Sequence, residues 1–284
     1  MDDSTFFIVG ANGQLGTALK AKYPNAQSAD IKELDITDAE SVASYDWSKI
    51  KVVLNAAAYT NVDGAETAEG RLAAWQVNAA AVGNLARAAL EHDLLIVHIS
   101  TDYVFDGSRV PHTEDEPFSP LSVYGQTKAA GDVVVSLLPK HYLLRTSWVI
   151  GDGPNFVRTM LGLGAKGVSP TVVADQVGRL TFTSTLVGAI DHLLTGKAAY
   201  GTYNVSGGGQ PASWADITRA IFAAAGYDQL QVTDTTTAEY YAGKSGIAPR
   251  PLQSAFDLTK IQSAGFTPTD WHDDLKTYIQ QSKL

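Results

Sequence analysis

The sequence predicts an α/β fold: a Rossmann-type doubly wound parallel sheet with a smaller C-terminal α/β lobe. Three observations predict it. Short apolar runs alternate with longer amphipathic stretches through the first half of the chain. A glycine-rich turn follows the first of those runs directly. After about Gly151 the alternation stops, and Gly, Pro and Thr become frequent.

The strands expected are Thr5–Val9, Lys51–Ala58, Leu94–Ser100 and His141–Ser147. Each is brief, rich in Ile, Val and Leu, and without strict alternation, as a parallel strand covered on both faces should be. Helices are expected over Gly13–Lys22, Ala65–His92 and Gly125–Leu138, with Thr183–Leu194 a further helix of the same unit. Such alternation implies right-handed crossovers. The first unit is expected to take residues 1–150 plus about 172–203, and the second lobe about 151–171 and 204–284.

Gly10, Asn12, Gly13, Gln14, Leu15 and Gly16 form a GxxGxxG turn between the first strand and the first helix. Glycines let the backbone approach a pyrophosphate closely, and free N–H groups at a helix start hold the anion. The first unit is therefore expected to bind a nicotinamide dinucleotide. Asp30 falls where the second strand should end and suits a ribose diol, whereas nearby Lys32 suits a 2′-phosphate. These cues conflict; NADPH is expected, with NADH the alternative. Asp35, beside Ile36, is placed to meet the adenine amine, the competing reading being capping around Thr37. Asn55 and the small residues Ala56, Ala57 and Ala58, followed by Tyr59, end the next apolar run and leave room for a flat ring or ribose; the competing reading is tight helix–sheet packing.

The proton donor expected is Tyr124, with Lys128 one helical turn later on the same face. A lysine there holds a nicotinamide ribose and lowers the phenol pKa, and the phenol protonates an oxygen that becomes an alkoxide. The Tyr-x-x-x-Lys pattern alone is weak, since Tyr45/Lys49 and Tyr240/Lys244 also match and read as solvated surface. Position selects Tyr124: its helix follows a strand whose carboxyl end carries Ser100 and Thr101, where ligands of such sheets bind. Thr101 is the hydroxyl expected to orient a substrate carbonyl, with capping of the strand end as the alternative. His98, inside an apolar strand, reads as a satisfied core residue, and the histidines show no metal-ligand spacing.

Together these residues resemble the dTDP-4-dehydrorhamnose reductase family of extended short-chain dehydrogenase/reductases. The resemblance runs through 10–16, 55–66, 100–107, 120–128, 145–149 with Asn155 and Phe156, and Arg250-Pro251 with Ser254. It implies NADPH-dependent reduction of dTDP-4-dehydro-L-rhamnose to dTDP-L-rhamnose. It implies Thr101, Tyr124 and Lys128 as the catalytic set. It also implies Asp102, Tyr103, Trp148, Asn155 and Arg250 on the nucleotide-sugar side, Arg250 being the candidate cation for the diphosphate. Two departures stand out. Leu180 replaces the family's usual proline, and Ala18 sits near where some members carry a glutamate that holds magnesium between subunits. No metal and a monomer rather than a metal-bridged dimer are therefore expected, with a fused or associated rhamnose-pathway epimerase as a partner to look for. Rival readings are an epimerase or dehydratase of the same fold and a non-catalytic NADP-binding regulatory subunit. Tyr103 stands where a dehydratase would place its second acid, and a regulatory chain need not keep both Tyr124 and Lys128.

The formal net charge of −9 argues against nucleic-acid binding. With 0 cysteines, disulfides and thiolate chemistry are excluded, and a cytoplasmic location is expected. No apolar run approaches a membrane span, and the acidic N-terminus does not read as a secretory signal.

Overall fold

A computed structural model describes residues 1–196 and 198–281; the last three residues of the expected second lobe lie outside them. The chain begins with β1 (Phe6–Val9), α1 (Gln14–Lys22), β2 (Gln27–Ala29), α2 (Ala39–Ser44) and β3 (Val52–Asn55). Then come α3 (Ala68–Trp75), a π-helical turn (Gln76–Ala80), α4 (Ala81–Glu91), β4 (Leu95–Thr101), α5 (Val123–Ser136) and β5 (His141–Thr146). The second half contains β6 (Val149–Ile150), α6 (Phe156–Ala165), β7 (Thr171–Val173), β8 (Val177–Gly178), β9 (Thr181–Phe182), α7 (Thr183–Thr195) and β10 (Gly201–Asn204). It ends with β11 (Ala212–Ser213), α8 (Trp214–Ala225), β12 (Thr233–Thr235), α9 (Thr237–Tyr240), α10 (Thr259–Ser263) and α11 (Trp271–Gln281).

Six strands form the main sheet in the order β10-β5-β4-β3-β1-β2, and every pair is parallel. Alternate residues of one strand serve opposite layers. Phe6 and Ile8 pack with Leu15 and Leu19 of α1 and Leu186 and Ile190 of α7, whereas Phe7 and Val9 pack with Val42 of α2 and Leu85 of α4. Each such side chain contributes roughly 1.5–3 kcal/mol by leaving water. β2 and β3 flank β1 on opposite sides, so winding reverses there and a crevice opens outside the carboxyl ends of β1 and β3.

The helix expected over Ala65–His92 runs unbroken from Ala68 to Glu91, with a π-turn inside it. Thr67 caps α3 by accepting from the Gly70 N–H at 3.0 Å, so the regular helix starts at Ala68. The π-turn then directs Asn78 inward, where it is 1% exposed. Its Oδ1 accepts from the Tyr59 N–H at 2.8 Å, and its Nδ2 donates to the Tyr59 carbonyl and to Thr127 Oγ1, both at 3.1 Å. The strand expected to Ala58 ends at Asn55, whose Oδ1 accepts from the Ala57 N–H and bends the chain outward.

The division between units also differs from the expectation. β7 pairs with β12, β8 with β11 and β9 with β6, and Val172, Leu180 and Phe182 share a core with α6, α8 and α11. Residues 172–182 thus pack with the second lobe; strands of two or three residues are too short to show a period. Conversely, Phe256, Leu258 and Ile261 from the expected second lobe join the core under the main sheet. Leu180, in the proline position, is fully buried and fills the second core.

Candidate active site

A groove of about 320 Å³ lies in the crevice outside β1 and β3. Gly10 has a φ of +76°, and a Cβ there would lie 2.6 Å from the Ala57 nitrogen, so only glycine lets the two strand-end loops touch. A Cβ on Gly16 would meet the Gly10 carbonyl oxygen at 2.1 Å, which seats α1 directly on the loop. Gly13 caps α1 without a side-chain bond, and the first-turn N–H groups that follow it have no intrahelical acceptor. Gly10, Gly13, Asp30, Asp35, Ile36, Ala56, Ala57 and Ala58 line this groove. Its shape, glycine cradle and helix start fit a dinucleotide.

Asp30 is also a tie within the loops: Oδ2 accepts from the Asn12 N–H at 3.1 Å and Oδ1 from the Ile31 N–H at 2.8 Å. Asp35 Oδ1 accepts from Thr37 N and Oγ1 at 2.9 and 2.7 Å, so the capping arrangement is present beside the groove. Lys32 is exposed and, like Asn12, Gly16 and Tyr59, is not among the groove's lining residues. Asn12 Oδ1 accepts from Lys20 Nζ at 3.3 Å, and Tyr59 packs with Val62, Ala65 and Tyr124.

Gly13 and Ala56–Ala58 also line an adjoining cavity of about 420 Å³, which takes in Gln14, Leu15, Thr101, Asp102, Tyr103, Tyr124, Lys128 and Trp148. Ser122 caps the helix bearing Tyr124 by accepting from the Gly125 N–H at 3.1 Å, so α5 starts at Val123, two residues earlier than expected. The Val123 N–H donates to Glu66 Oε1 at 2.9 Å. Tyr124 meets Tyr103 edge-on at 5.5 Å.

Lys128 is 2% exposed, and its Nζ donates to the Ile99 carbonyl at 2.7 Å. Burial lowers it to about 8, with Asp132 opposing. His98 Nε2 lies 3.5 Å from Lys128 Nζ, and His98 Nδ1 lies 3.0 Å from Asn55 Nδ2. Because Asn55 Oδ1 is engaged by the Ala57 N–H, its amide nitrogen faces His98 Nδ1. Burial holds His98 neutral, far below the usual imidazole range. Burial pushes the Tyr124 phenol up, Asp102 and Asp132 push the same way, and a hydrogen bond with Thr101 opposes them. In this structure the phenol is thus held above its ordinary range, where an acidified Tyr124 was expected.

Tyr103 and Trp148 open in turn onto a third cavity of about 450 Å³, lined also by Trp214, Gln176, Tyr240, Tyr241 and Arg250. Trp148 adopts a left-handed φ of 49° and stacks on Trp214 at 3.8 Å. Arg250 donates to Asp63 Oδ2 at 2.9 Å and to the Ala248 carbonyl at 2.8 Å, so it faces the cavity and also ties the lobes together.

Several expectations are corrected here. Asn155 lines none of these cavities; its side chain caps α6 and donates to Gly151, Gly153 and Tyr278. Arg145, from the segment 145–149 that the resemblance implies as sugar-pocket lining, is instead buried behind the site, donating to Asp132 at 3.1 Å and to the Glu114 carbonyl. Tyr45 packs on Phe7 and Trp47, and Tyr240 lines the third cavity, so neither is plain solvated surface. Trp214 and Asp63 escaped the sequence reading. The signal for Trp214 was the Ser213-Trp214-Ala215-Asp216 capping box, which places a tryptophan at a helix start. Among the described residues no cluster of His, Asp or Glu fits a metal ion.

Residues 4–284 match the family model described as RmlD substrate binding domain. The dTDP-4-dehydrorhamnose reductase of Aggregatibacter actinomycetemcomitans is 41% identical over 290 residues, covering 95% of this chain and 96% of its own. The enzyme of that name from Mycolicibacterium smegmatis is 38% identical, covering 96% and 84%. The crystal structure of dTDP-4-dehydrorhamnose reductase from Bacillus anthracis in complex with NADP superposes with a TM-score of 0.88 at 34% identity, over 97% of this chain and 98% of that one. A glycine-cradled groove leading to a buried Tyr/Lys pair, and a match along nearly the whole chain, place this protein in the dTDP-4-dehydrorhamnose reductase family.

Proposed function

We propose that this protein reduces the C4 keto group of dTDP-4-dehydro-L-rhamnose to give dTDP-L-rhamnose, with NADPH as the reductant. One observation carries the reading: the dinucleotide groove and the aromatic cavity are joined by a chamber in which Tyr124, Lys128 and Thr101 sit together. When bound, the reduced nicotinamide supplies the hydride to C4. Gly10, Gly13 and Ala56–Ala58 hold the dinucleotide, with Asp30 and Asp35 on its adenosine side. Tyr124 gives its phenolic proton to the developing C4 alkoxide, and the buried Lys128 ammonium steadies the ribose beside it. Thr101 orients the carbonyl oxygen, Trp148 and Tyr103 flank the sugar, and Arg250 faces the diphosphate. A match to a structure holding NADP, at 34% identity, supports the phosphorylated cofactor. Lys32, outside the groove lining, gives that preference no support.

Ala18, half-buried on α1 and packed against the core, offers no carboxylate to a shared metal, which supports a monomer. Among the described residues no helix is long and apolar enough to cross a membrane; we place the reaction in the cytoplasm, where an associated epimerase would supply the substrate.

The test is incubation with dTDP-4-dehydro-L-rhamnose and each reduced cofactor, following absorbance and identifying the product. Stoichiometric loss of NADPH is expected; a recycled cofactor would mean an epimerase instead. Tyr124→Phe should lower kcat roughly 10²–10⁴-fold with little change in NADPH affinity. Wild-type-like turnover in that variant removes Tyr124 from the mechanism.

A further inference from the structure

The Thr101 hydroxyl stands at the carboxyl end of β4 in the chamber that holds Tyr124. A hydroxyl has one proton to give. In this structure Thr101 gives it to Asp102 Oδ1 at 3.0 Å, while Thr101 Oγ1 accepts from the Tyr103 N–H at 3.2 Å. The other oxygen of Asp102, which is 1% exposed, accepts from Ser254 Oγ at 2.5 Å. An ionised Asp102 therefore occupies both neighbouring hydroxyl protons. Thr101 is left with one lone pair toward the chamber, on the side of its hydrogen bond with Tyr124, and a carbonyl oxygen becoming an alkoxide needs donors, not lone pairs.

We propose that Asp102 is a positioning residue: its protonation state decides whether the single Thr101 proton points inward or toward the reacting oxygen. The proposal rests on the reductase reading above. With a proton on Oδ1, the carboxyl donates to Thr101, and the threonine proton turns outward to the C4 oxygen. No bond to carbon changes at Asp102. The proton received by the alkoxide still leaves Tyr124, the hydride still comes from the reduced nicotinamide, and Asp102 equilibrates with solvent between turnovers.

The surroundings let both states occur. Burial raises Asp102 to about 6, opposed by the bonds from Ser254 and Thr101 and by His112. The titratable groups facing it are Tyr103 on its own turn, Tyr124 on α5 and His112 on the loop after β4, with the Ser254 hydroxyl arriving from the segment after α9. His112 is itself tied to Glu116 at 2.9 Å and to the Gln253 carbonyl at 3.0 Å.

The experiment is kcat/KM of the full chain against pH, for the wild type and three variants. The wild type should lose about tenfold, one hydrogen bond to a developing charge, as the pH rises through a limb near 6. Asp102→Asn, whose amide nitrogen donates to Thr101 at every pH, should lack that limb and exceed the wild type at pH about 8. Ser254→Ala removes a donor that favours the carboxylate and should move the limb to higher pH; Thr101→Val should flatten it. A wild-type profile without the limb, a limb that persists in Asp102→Asn, or one unmoved by Ser254→Ala overturns the proposal.

A readout independent of turnover separates this from the reductase reading. Carbon-13 NMR of labelled aspartate, with NADPH present, reports the Asp102 carboxyl, and Thr101→Val should raise its titration midpoint. An unmoved midpoint sinks the proposal. A midpoint that moves in a protein with no turnover on the 4-keto sugar sinks the reductase reading and leaves the Thr101–Asp102 coupling standing.

Discussion

The individual side chains behind the chamber form an unusually charged interior. Asp132 is fully buried two turns after Tyr124 and one after Lys128, and it is held by Arg145, which stacks over Phe105 and Phe118. Asp102 is the exception, with hydroxyls rather than a guanidinium as its hydrogen-bond partners. Burial lifts it from an ordinary 3.8 to about 6, so the folded protein binds its proton more tightly than the unfolded chain. The stability this group contributes is full below about pH 4 and is lost as the pH rises through about 6. Asp102→Asn should therefore gain on the wild type between those values and hold its lead above them, by ~1–3 kcal/mol. Urea denaturation at pH 4, 5 and 7 measures this, and a lead that does not grow with pH refutes it. Tyr124 and Lys128 were legible because four residues on a helix is a local spacing. Asp132 was not, because its meaning depends on an arginine brought from β5, and nothing in one strand announces what another will place beside it.

Among the elements, the helix bearing Tyr124 and Lys128 depends most on its first turn. Ser122 satisfies the Gly125 N–H, and Glu66, from the loop before α3, satisfies the Val123 N–H and adds negative charge at the positive end of the helix. Glu66→Ala leaves a buried donor unmet one residue from Tyr124. It should cost about 1–3 kcal/mol of stability. It should also lower kcat more than it raises KM, while Glu66→Gln, which keeps an acceptor, recovers most of both. A thermal melt beside steady-state kinetics checks it, and an unchanged kcat in Glu66→Ala would show that Ser122 alone fixes the helix. The strands and helices of the first half were legible from period and length. The π-turn in the long helix was not, because Asn78 turns inward for partners on Tyr59 and α5 that lie far off in sequence. The short strands after Val149 escaped because each is paired by a distant segment and is too brief to carry a pattern.

At the scale of the whole molecule, the cleft runs between two lobes fastened across it. Asp63, on the main-sheet side, accepts from Arg250 at 2.9 Å and from the Ala248 N–H at 3.0 Å. Arg250 also lies 4.9 Å over the Tyr241 ring, at the wall of the aromatic cavity. Fastening and diphosphate binding predict different variant behaviour. If Arg250 binds the diphosphate, Arg250→Ala should raise KM about tenfold or more, and Asp63→Ala, which frees the guanidinium, should raise it far less. Equal increases in the two variants would assign the pair to fastening alone; isothermal titration with dTDP separates the cases without turnover. The groove and chamber were legible as motifs at strand ends. The lobe boundary was not, since residues 172–182 and 256–261 each pack across it, and packing partners cannot be counted from one segment at a time.

The wide turn at Gln76–Ala80 has a consequence for anyone redesigning this segment. It takes up one residue more than a regular pitch would, so a single helical wheel drawn from α3 through α4 misassigns faces on one side by about 100°. Trimming one residue there to restore ideal winding would swing the Asn78 amide away from Tyr59 and Thr127, unfastening the wall of the chamber for the sake of a tidier helix.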